Sequence, residues 1–181
     1  MNDDAKQKDP YDKCTMVTQA VDHHKKRLHV AERQKRLDTE TADVYQMILK
    51  SYIDLGQTLN KAEIAEQGTD IEEVINTLRP NDMVVFESND EPVGATPFTM
   101  EQRNHKIMVN SNTVHSMCAL DALAISPMFN IETHIDSKCH VTGDNISIDQ
   151  LNQKVLNKQE NEQVHFGINW NSAANNCCAT S

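Results

Sequence analysis

Cys118 and Asp121 lie three residues apart in HSMCALDALAISPMF, a mostly apolar segment at residues 115–129. The apolar spacing predicts a helix, and residues at positions i and i+3 of a helix are neighbours on its surface. The positive end of the helix dipole favours a thiolate, whereas a nearby carboxylate opposes it. Such a local conflict is typical of a functional site. Spacing alone favours the other interpretation, a small buried cysteine beside an exposed or capping aspartate.

The pair Cys177–Cys178 near the C-terminus carries two more thiols. In an extended segment adjacent side chains point to opposite sides, so the pair would not easily hold one small ion together. One of the two could instead meet a distant thiol such as Cys118. A site made of two thiolates suits a soft metal, namely copper(I), zinc or mercury.

The remaining motifs do not predict a familiar metal or nucleotide site. Cys139 and His140, with His134 upstream, lack the paired Cys-x-x-Cys spacing of a structural zinc site. The chain has only 5 glycines and no Gly-rich phosphate loop. It also has no Gly-x-Ser-x-Gly or His-Glu-x-x-His motif.

Composition and charge narrow the class of protein. The chain has 181 residues and a formal net charge of −10, and such an acidic surface disfavours nucleic-acid binding. The sequence contains no apolar run long enough to predict a membrane span, and the polar N-terminus does not resemble a secretory signal. The odd count of 5 cysteines argues against a disulfide framework. These features predict a cytoplasmic protein with reduced thiols.

The N-terminal half predicts an arm followed by a helical unit. Residues 1–40 form the polar and basic arm, which we expect to be mobile. Residues 41–100 carry three helical patterns, a strand and a turn, which together predict a winged-helix-like unit. The third helix, residues 70–78, is acidic, so we interpret this unit as a structural cap on the next domain and not as a DNA reader.

Residues 101–181 predict the catalytic core. A strand at 105–114 should lead into the helix that carries Cys118, and Pro127 should end that helix. A hairpin follows around the turn TGDN, residues 142–145, and a further strand is predicted at 164–170. The overall fold class is therefore α+β, with the three-helix winged-helix-like unit packed on a small mixed or antiparallel sheet.

The run MCALDAL, residues 117–123, closely resembles the hallmark segment of the bacterial alkylmercury lyases (organomercurial lyases). In that family a tryptophan commonly stands where this chain has Met117. The later features follow in the family's order, with Cys139 in a Cys-x-x-Thr-Gly setting and then the pair Cys177–Cys178. The resemblance extends over roughly residues 41–178. Family members usually continue with a further strand and helix, whereas this sequence stops three residues after Cys178.

This resemblance implies protonolysis of a carbon–mercury bond. Cys118 and Cys177 would be the thiolates that bind the organic mercury, and Asp121 would carry a proton to the departing carbon. Cys178 would be a further ligand for mercury, and Cys139 would be structural. No cofactor is implied, although low-molecular-weight thiols would be needed to release the product. The partners implied are an organomercurial small molecule and a mercuric reductase that receives mercury(II).

Two other functions remain open at the level of sequence. One is a soft-metal carrier of the same fold, for copper or mercury, that does not cleave the bond. The other is a winged-helix regulator with a thiol metal sensor, against which the acidic charge argues. Asp121 separates the first of these from the enzyme, because a carrier needs no proton donor.

Overall fold

The computed structural model describes Asp22 and residues 30–165 of the chain. The chain divides into two compact units, residues 1–36 and 37–181. Helix α1 spans Val30–Gln34 in the first unit. Most of the predicted N-terminal arm lies outside the described residues, so its mobility stays a prediction.

The second unit begins with three helices, as the sequence predicted. They are α2 at Thr39–Leu55, α3 at Lys61–Ala65 and α4 at Ile71–Leu78. Asp70 caps α4 by accepting hydrogen bonds from two backbone amides of its first turn. Gly56 ends α2 at a φ of 74°, a left-handed conformation that glycine adopts without steric strain.

In the part of the chain that the structure describes, eight strands form one antiparallel sheet, which covers parts of both predicted domains, 41–100 and 101–181. In spatial order the strands are β1-β2-β3-β5-β4-β6-β7-β8. Their bounds are β1 Val84–Phe86, β2 Pro92–Ala95, β3 Phe98–Thr99, β4 Lys106–Val109, β5 Asn112–Ser116, β6 Glu132–Lys138, β7 Asn145–Leu151 and β8 Lys154–Val155. The α+β class with an antiparallel sheet is thereby confirmed, while the winged-helix form of the N-terminal helices stays a prediction.

The predicted single strand at 105–114 is wrong, because this segment contains a hairpin. β4 and β5 pair antiparallel, with Val109 opposite Asn112. Asn110 allows the tight turn because it adopts a left-handed φ of 52°, which asparagine tolerates better than most residues. The hairpin predicted around residues 142–145 is confirmed by the pairing of β6 with β7.

The helix predicted for the Cys118 segment is α5, which spans Ala119–Phe129. The prediction that Pro127 ends it is wrong, since the helix continues past the proline to a left-handed cap at Asn130. Proline lacks an N–H, so the carbonyl of Leu123 loses its helical partner. The buried Gln150 of β7 replaces that partner, because its Nε2 donates to the Leu123 oxygen at 3.0 Å.

The core joins α2, α5 and the sheet. The rings of Tyr52 and Phe98 stack with centroids 4.8 Å apart, and the Phe129 ring lies 5.9 Å from that of Phe98. The hydroxyl of the buried Tyr45 donates to the Thr96 carbonyl at 2.8 Å, which ties α2 to the loop before β3. These contacts hold α2 and α5 against β3 and the loop before it.

The described chain ends shortly after β8. A 3-10 helix at Lys158–Asn161 follows, and its Asn161 donates from Nδ2 to the Ser147 carbonyl at 3.0 Å. Most of the strand predicted at 164–170 lies outside the described residues. Among the helices that are described, none has the length and apolar character needed to cross a membrane.

Candidate active site

Cys118 is the N-cap residue of helix α5, directly before Ala119. Its backbone is extended, with φ −152° and ψ 176°, and its Sγ accepts the backbone N–H of Asp121 at 3.5 Å. Serine, threonine and aspartate are the usual residues at this position, and sulfur is a weak acceptor. Capping strength therefore does not account for a cysteine here.

The Asp121 side chain turns back to the thiol, as the spacing predicted. The Sγ of Cys118 donates to Oδ2 of Asp121 at 3.1 Å. Asp121 is only 8% exposed, whereas Cys118 is half-buried. The geometry thus places a partly accessible thiol within hydrogen-bond distance of a largely buried carboxyl group.

Hydrogen bonds fix the backbone that leads into Cys118. The Ser116 side chain is fully buried, and its hydroxyl donates to the Cys118 carbonyl at 3.0 Å. The Met117 amide donates to the Pro97 carbonyl at 3.2 Å. On the other side of that residue, Nη1 of Arg103 donates to the Met117 carbonyl at 3.2 Å. Residues 116–118 therefore have little freedom to move the sulfur.

Met117, which stands where the family commonly has tryptophan, points into the protein. It is 4% exposed, and its sulfur lies 3.8 Å from the Thr96 hydroxyl, which donates to it. A Cβ added at Gly94 would lie 3.0 Å from the Met117 terminal methyl carbon. Gly94 thus leaves the space that this methionine fills.

Cys139 lies in the turn that connects β6 to β7, directly after the end of β6. Its amide donates to the Asp144 carbonyl at 2.8 Å, and the Gly143 amide donates to the Cys139 carbonyl at 2.9 Å. Hydrogen bonds from the hydroxyl and the amide of Thr142 lower the pKa of the Cys139 thiol. These contacts are local to the hairpin, and the structural role of this cysteine stays a prediction.

The sheet topology brings Cys118 and Cys139 to the same end of the sheet. Strands β5 and β6 both pair antiparallel with β4, so they run in the same direction on either side of it. Each cysteine follows the C-terminal end of one of these strands. Neither thiol is linked by a disulfide to another described residue.

The predicted thiols Cys177 and Cys178 lie outside the described residues, as does Cys14. Their roles as ligands therefore stay predictions. Between residues 30 and 165, no three His, Cys, Asp or Glu side chains are grouped so that they could hold a metal ion.

His134 has carboxylate partners and not a zinc-like environment. Its Nδ1 lies 2.6 Å from Oδ1 of Asp149, and its Nε2 lies 3.2 Å from Oδ1 of Asp136. Together the hydrogen bonds to Asp149 and then to Asp136 raise the pKa of His134. The ring is thus held as part of a charged cross-strand cluster.

Sequence reasoning missed Arg103 and Ser116 as residues of this site. Ser116 lies directly before the recognised run, but nothing in its type marks it as a backbone anchor. Arg103 reaches Met117, 14 residues later, only because β4 and β5 pair. No local sequence pattern signals such a contact.

Comparisons with known proteins give a sequence match to one family and a structural match to a solved protein. The model of the family "Alkylmercury lyase" matches residues 98–181, which is slightly less than half of the chain. A solved structure titled "Crystal structure of the mercury-bound form of MerB2" has a TM-score of 0.60 and 24% sequence identity. The match covers 70% of this chain and 63% of that chain, so this chain spans less than two thirds of its length. The search of curated proteins gives no match.

The structural likeness shows a shared fold, and the family model adds a sequence match over the part that contains α5. The range matched by the family model includes the run from Met117 to Leu123. The resemblance predicted from that run is confirmed: over residues 98–181 this chain matches the alkylmercury lyase family.

Proposed function

We propose that this protein is an organomercurial lyase, which cleaves a carbon–mercury bond by protonolysis to give a hydrocarbon and thiolate-bound mercury(II). The observation that carries the proposal is the 3.1 Å contact between Cys118 Sγ and Asp121 Oδ2. It lies in the part of the chain that the family model matches. A thiol and a carboxyl group that share a proton are the groups that this reaction requires.

In the first step the Cys118 sulfur binds the mercury of an R–Hg⁺ substrate, since soft thiolates bind soft metals strongly. The thiol proton moves along the existing hydrogen bond to Asp121. The products of this step are Cys118–S–Hg–R and a protonated Asp121 carboxyl group. No proton has to come from water, and the charge is conserved.

In the second step Cys177, as a thiolate, becomes the other sulfur ligand of mercury. Its electrons weaken the carbon–mercury bond and raise the electron density on the carbon. That carbon takes the proton from Asp121, so R–H leaves and mercury(II) keeps two sulfur ligands. Asp121 is again a carboxylate and acts as the general acid of the step. The roles of Cys177, and of Cys178 as a further ligand, rest on the family resemblance.

The proposal also includes the cofactor requirement, the cellular location, the fate of the mercury(II) product and the role of the N-terminal helices. The protein uses no resident cofactor, works in the cytoplasm, and passes mercury(II) to small thiols or to a mercuric reductase. Helices α2 to α4 and the β1–β2 hairpin serve as a winged-helix-like cap. Three acidic residues at the start of α4, Asp70, Glu72 and Glu73, argue against a role for it in binding DNA.

The proposal is tested with Asp121→Asn, which separates binding from cleavage. Asparagine has almost the shape of aspartate but cannot deliver an acidic proton at neutral pH. We expect phenylmercury still to bind, while benzene release in excess thiol falls by about 100-fold or more. Mass spectrometry of the complex and gas chromatography of benzene, on one folded sample, measure the two quantities.

The matched control is Asp54→Asn, the same change at an exposed position of α2 that pairs with Lys50. This variant should bind and cleave as the unchanged protein does. Full cleavage by folded Asp121→Asn would remove the role assigned to Asp121. Mercury binding without benzene release by the unchanged protein would instead favour a soft-metal carrier.

A further inference from the structure

We propose that Ser147, His134 and Asp149 form a second reactive site, which hydrolyses small activated esters by transferring the acyl group to Ser147. His134 lies on β6, and the other two residues lie on β7. The site is separate from the Cys118 segment, and the proposal does not depend on the lyase function.

The register of β6 and β7 puts the three side chains on one face of the sheet. His134 stands directly opposite Asp149, and Ser147 comes two residues before Asp149 on the same strand. Residues two apart in a strand point to the same face. The side chains of His134 and Asp149 are 32% and 42% exposed, and Ser147 is exposed as well, so a small molecule can reach the group.

The distances connect serine, histidine and aspartate in the order that activates a serine nucleophile. Nδ1 of His134 lies 2.6 Å from Oδ1 of Asp149, and its Nε2 lies 3.3 Å from Oγ of Ser147. With Nδ1–H donated to the carboxylate, the lone pair of Nε2 faces the serine hydroxyl. A base oriented by a third group and within reach of a hydroxyl is the arrangement required for nucleophilic catalysis.

One asparagine side chain holds the backbone of both β7 residues. Asn157 donates from Nδ2 to the Ser147 carbonyl at 3.0 Å, and its Oδ1 accepts the Asp149 amide at 3.0 Å. A second donor to the Ser147 carbonyl is Nδ2 of Asn161, also at 3.0 Å. The nucleophile and the orienting carboxylate therefore keep a fixed spacing, as a reactive group needs.

Asp136 competes with the serine for the ring. Its Oδ1 lies 3.2 Å from Nε2 of His134, so a charged ring donates this N–H to Asp136 and cannot take the proton of Ser147. The neutral ring can take that proton. The other charged side chains at neighbouring positions of this face are Lys106, opposite Asp136 on β4, and Glu132 on β6. The site should therefore be most active at alkaline pH, where the ring is neutral.

The reaction is balanced without a metal or cofactor. Oγ of Ser147 attacks the carbonyl carbon of the ester, and its proton moves to Nε2 of His134. The leaving oxygen departs with that proton, and an acyl-serine remains. Water then attacks the acyl group and gives its proton through His134 to the serine oxygen, so a carboxylic acid leaves. Asp149 stays ionised and stabilises the charged ring. Because the face is open, the substrates we expect are esters of phenols or other acidic alcohols, whose leaving groups need little help.

The probe is p-nitrophenyl acetate at pH 8.5, added to the full chain after iodoacetamide has blocked its accessible thiols, which also react with this ester. Nitrophenolate absorbance gives the steady-state rate, and mass spectrometry locates the acetyl group. We expect Ser147→Ala and His134→Gln each to lower the rate by at least about 10-fold, because nucleophile and base act together. The acetyl group should be found on the Ser147 peptide of the unchanged protein.

Ser137→Ala is the matched control. Ser137 is another β6–β4 serine in contact with a histidine, since its Oγ lies 2.8 Å from Nδ1 of His105. Among the described residues no carboxylate is assigned to that ring, so nothing orients it as a base. This variant should hydrolyse the ester at the unchanged rate.

Asp136→Ala separates a catalytic role from a structural one. Removal of this carboxylate leaves more of the His134 ring neutral and frees its Nε2 for Ser147. We therefore expect the rate at pH 7 to rise, by roughly 2- to 5-fold. Damage to the structure would lower it instead, and a lower rate for folded Asp136→Ala would count against the proposal.

Equal rates for folded Ser147→Ala and the unchanged protein would overturn the inference. If the variants do not fold, labelling of the unchanged protein provides the test, because phenylmethanesulfonyl fluoride reacts with activated serines. It should modify Ser147 and stop the hydrolysis. Failure to modify Ser147 would equally refute the site.

Discussion

At the scale of single residues, Cys118 caps helix α5 weakly, although a serine, threonine or aspartate at this position would cap it more strongly. Its Sγ accepts the Asp121 amide at 3.5 Å, and the same sulfur donates to the Asp121 carboxyl group at 3.1 Å. The proposed reaction uses the second contact. A better N-cap residue at position 118 should therefore favour stability, whereas the reaction needs the cysteine.

This preference gives a prediction for Cys118→Ser. A serine hydroxyl is a stronger N-cap acceptor than sulfur, so the free energy of unfolding should stay unchanged or rise by up to about 1 kcal/mol. Organomercury binding at this position should be lost, because oxygen is a poor ligand for a soft metal. Chemical denaturation and mass spectrometry with phenylmercury measure the two effects. A Cys118→Ser protein that still cleaves phenylmercury would contradict the assignment.

Residue types and local spacing were sufficient to predict the Cys118–Asp121 pair, because both residues belong to one helical turn. They were not sufficient for Arg103, whose contact with Met117 depends on the pairing of two strands. The same limit applies to Gln150, which reaches Leu123 from another element. Contacts within one helical turn can be predicted from the spacing of residues in the sequence, whereas contacts between elements depend on how those elements pack.

At the scale of elements, the two wrong expectations have different physical origins. Pro127 was expected to end α5, and residues 105–114 were expected to form one strand. In the first case a side chain from β7 replaces the missing backbone hydrogen bond. In the second, a left-handed Asn110 allows the chain to reverse within a run of strand-forming residues. The effect of the proline is compensated by a contact between elements, whereas the turn at Asn110 is a local feature that was not recognised.

The compensation at Pro127 can be tested with a double-mutant cycle. Gln150→Leu leaves the Leu123 carbonyl without its donor inside the protein, so it should lower the free energy of unfolding by about 1–3 kcal/mol. In a Pro127→Ala background, the new backbone N–H can bond to that carbonyl. The same Gln150→Leu change should then cost less, by about 1 kcal/mol.

Urea denaturation of the four proteins in the cycle gives this coupling energy. Pro127 is exposed, so its replacement by alanine removes little packing. Strict additivity of the two changes would mean that Gln150 does not act through the carbonyl that Pro127 leaves open. It would then stabilise the fold through its other contact, at 2.6 Å with the Asn152 carbonyl.

At the scale of the whole molecule, one antiparallel sheet connects the helical half to the half that carries the thiol. The class of fold followed from the mixture of helical and strand patterns, but the sheet order could not, because β3 is only two residues long and the β4–β5 turn was not recognised. The net charge of −10 also belongs to this scale. On such an acidic molecule, each protonated histidine beside carboxylates relieves repulsion.

The pH dependence of stability should therefore report His134. Hydrogen bonds to Asp149 and Asp136 raise the pKa of His134 above its ordinary value of 6.5, and Lys106 stands opposite Asp136 in the adjacent strand. Because the folded-state pKa is the higher one, this contribution is complete below the unfolded pKa, as long as the carboxylates stay ionised. It is lost as the pH rises through the folded-state pKa.

We therefore expect His134→Gln to be less stable than the unchanged protein near pH 5.5 and to approach it near pH 8.5. The difference should be below about 1 kcal/mol, because the cluster is partly open to solvent. His140→Gln, in the turn of the same hairpin, is the matched control and should show no such convergence. Urea denaturation across this pH range measures the differences. A gap between His134→Gln and the unchanged protein that widens as the pH rises would mean that the neutral ring, and not its charge, stabilises the two strands.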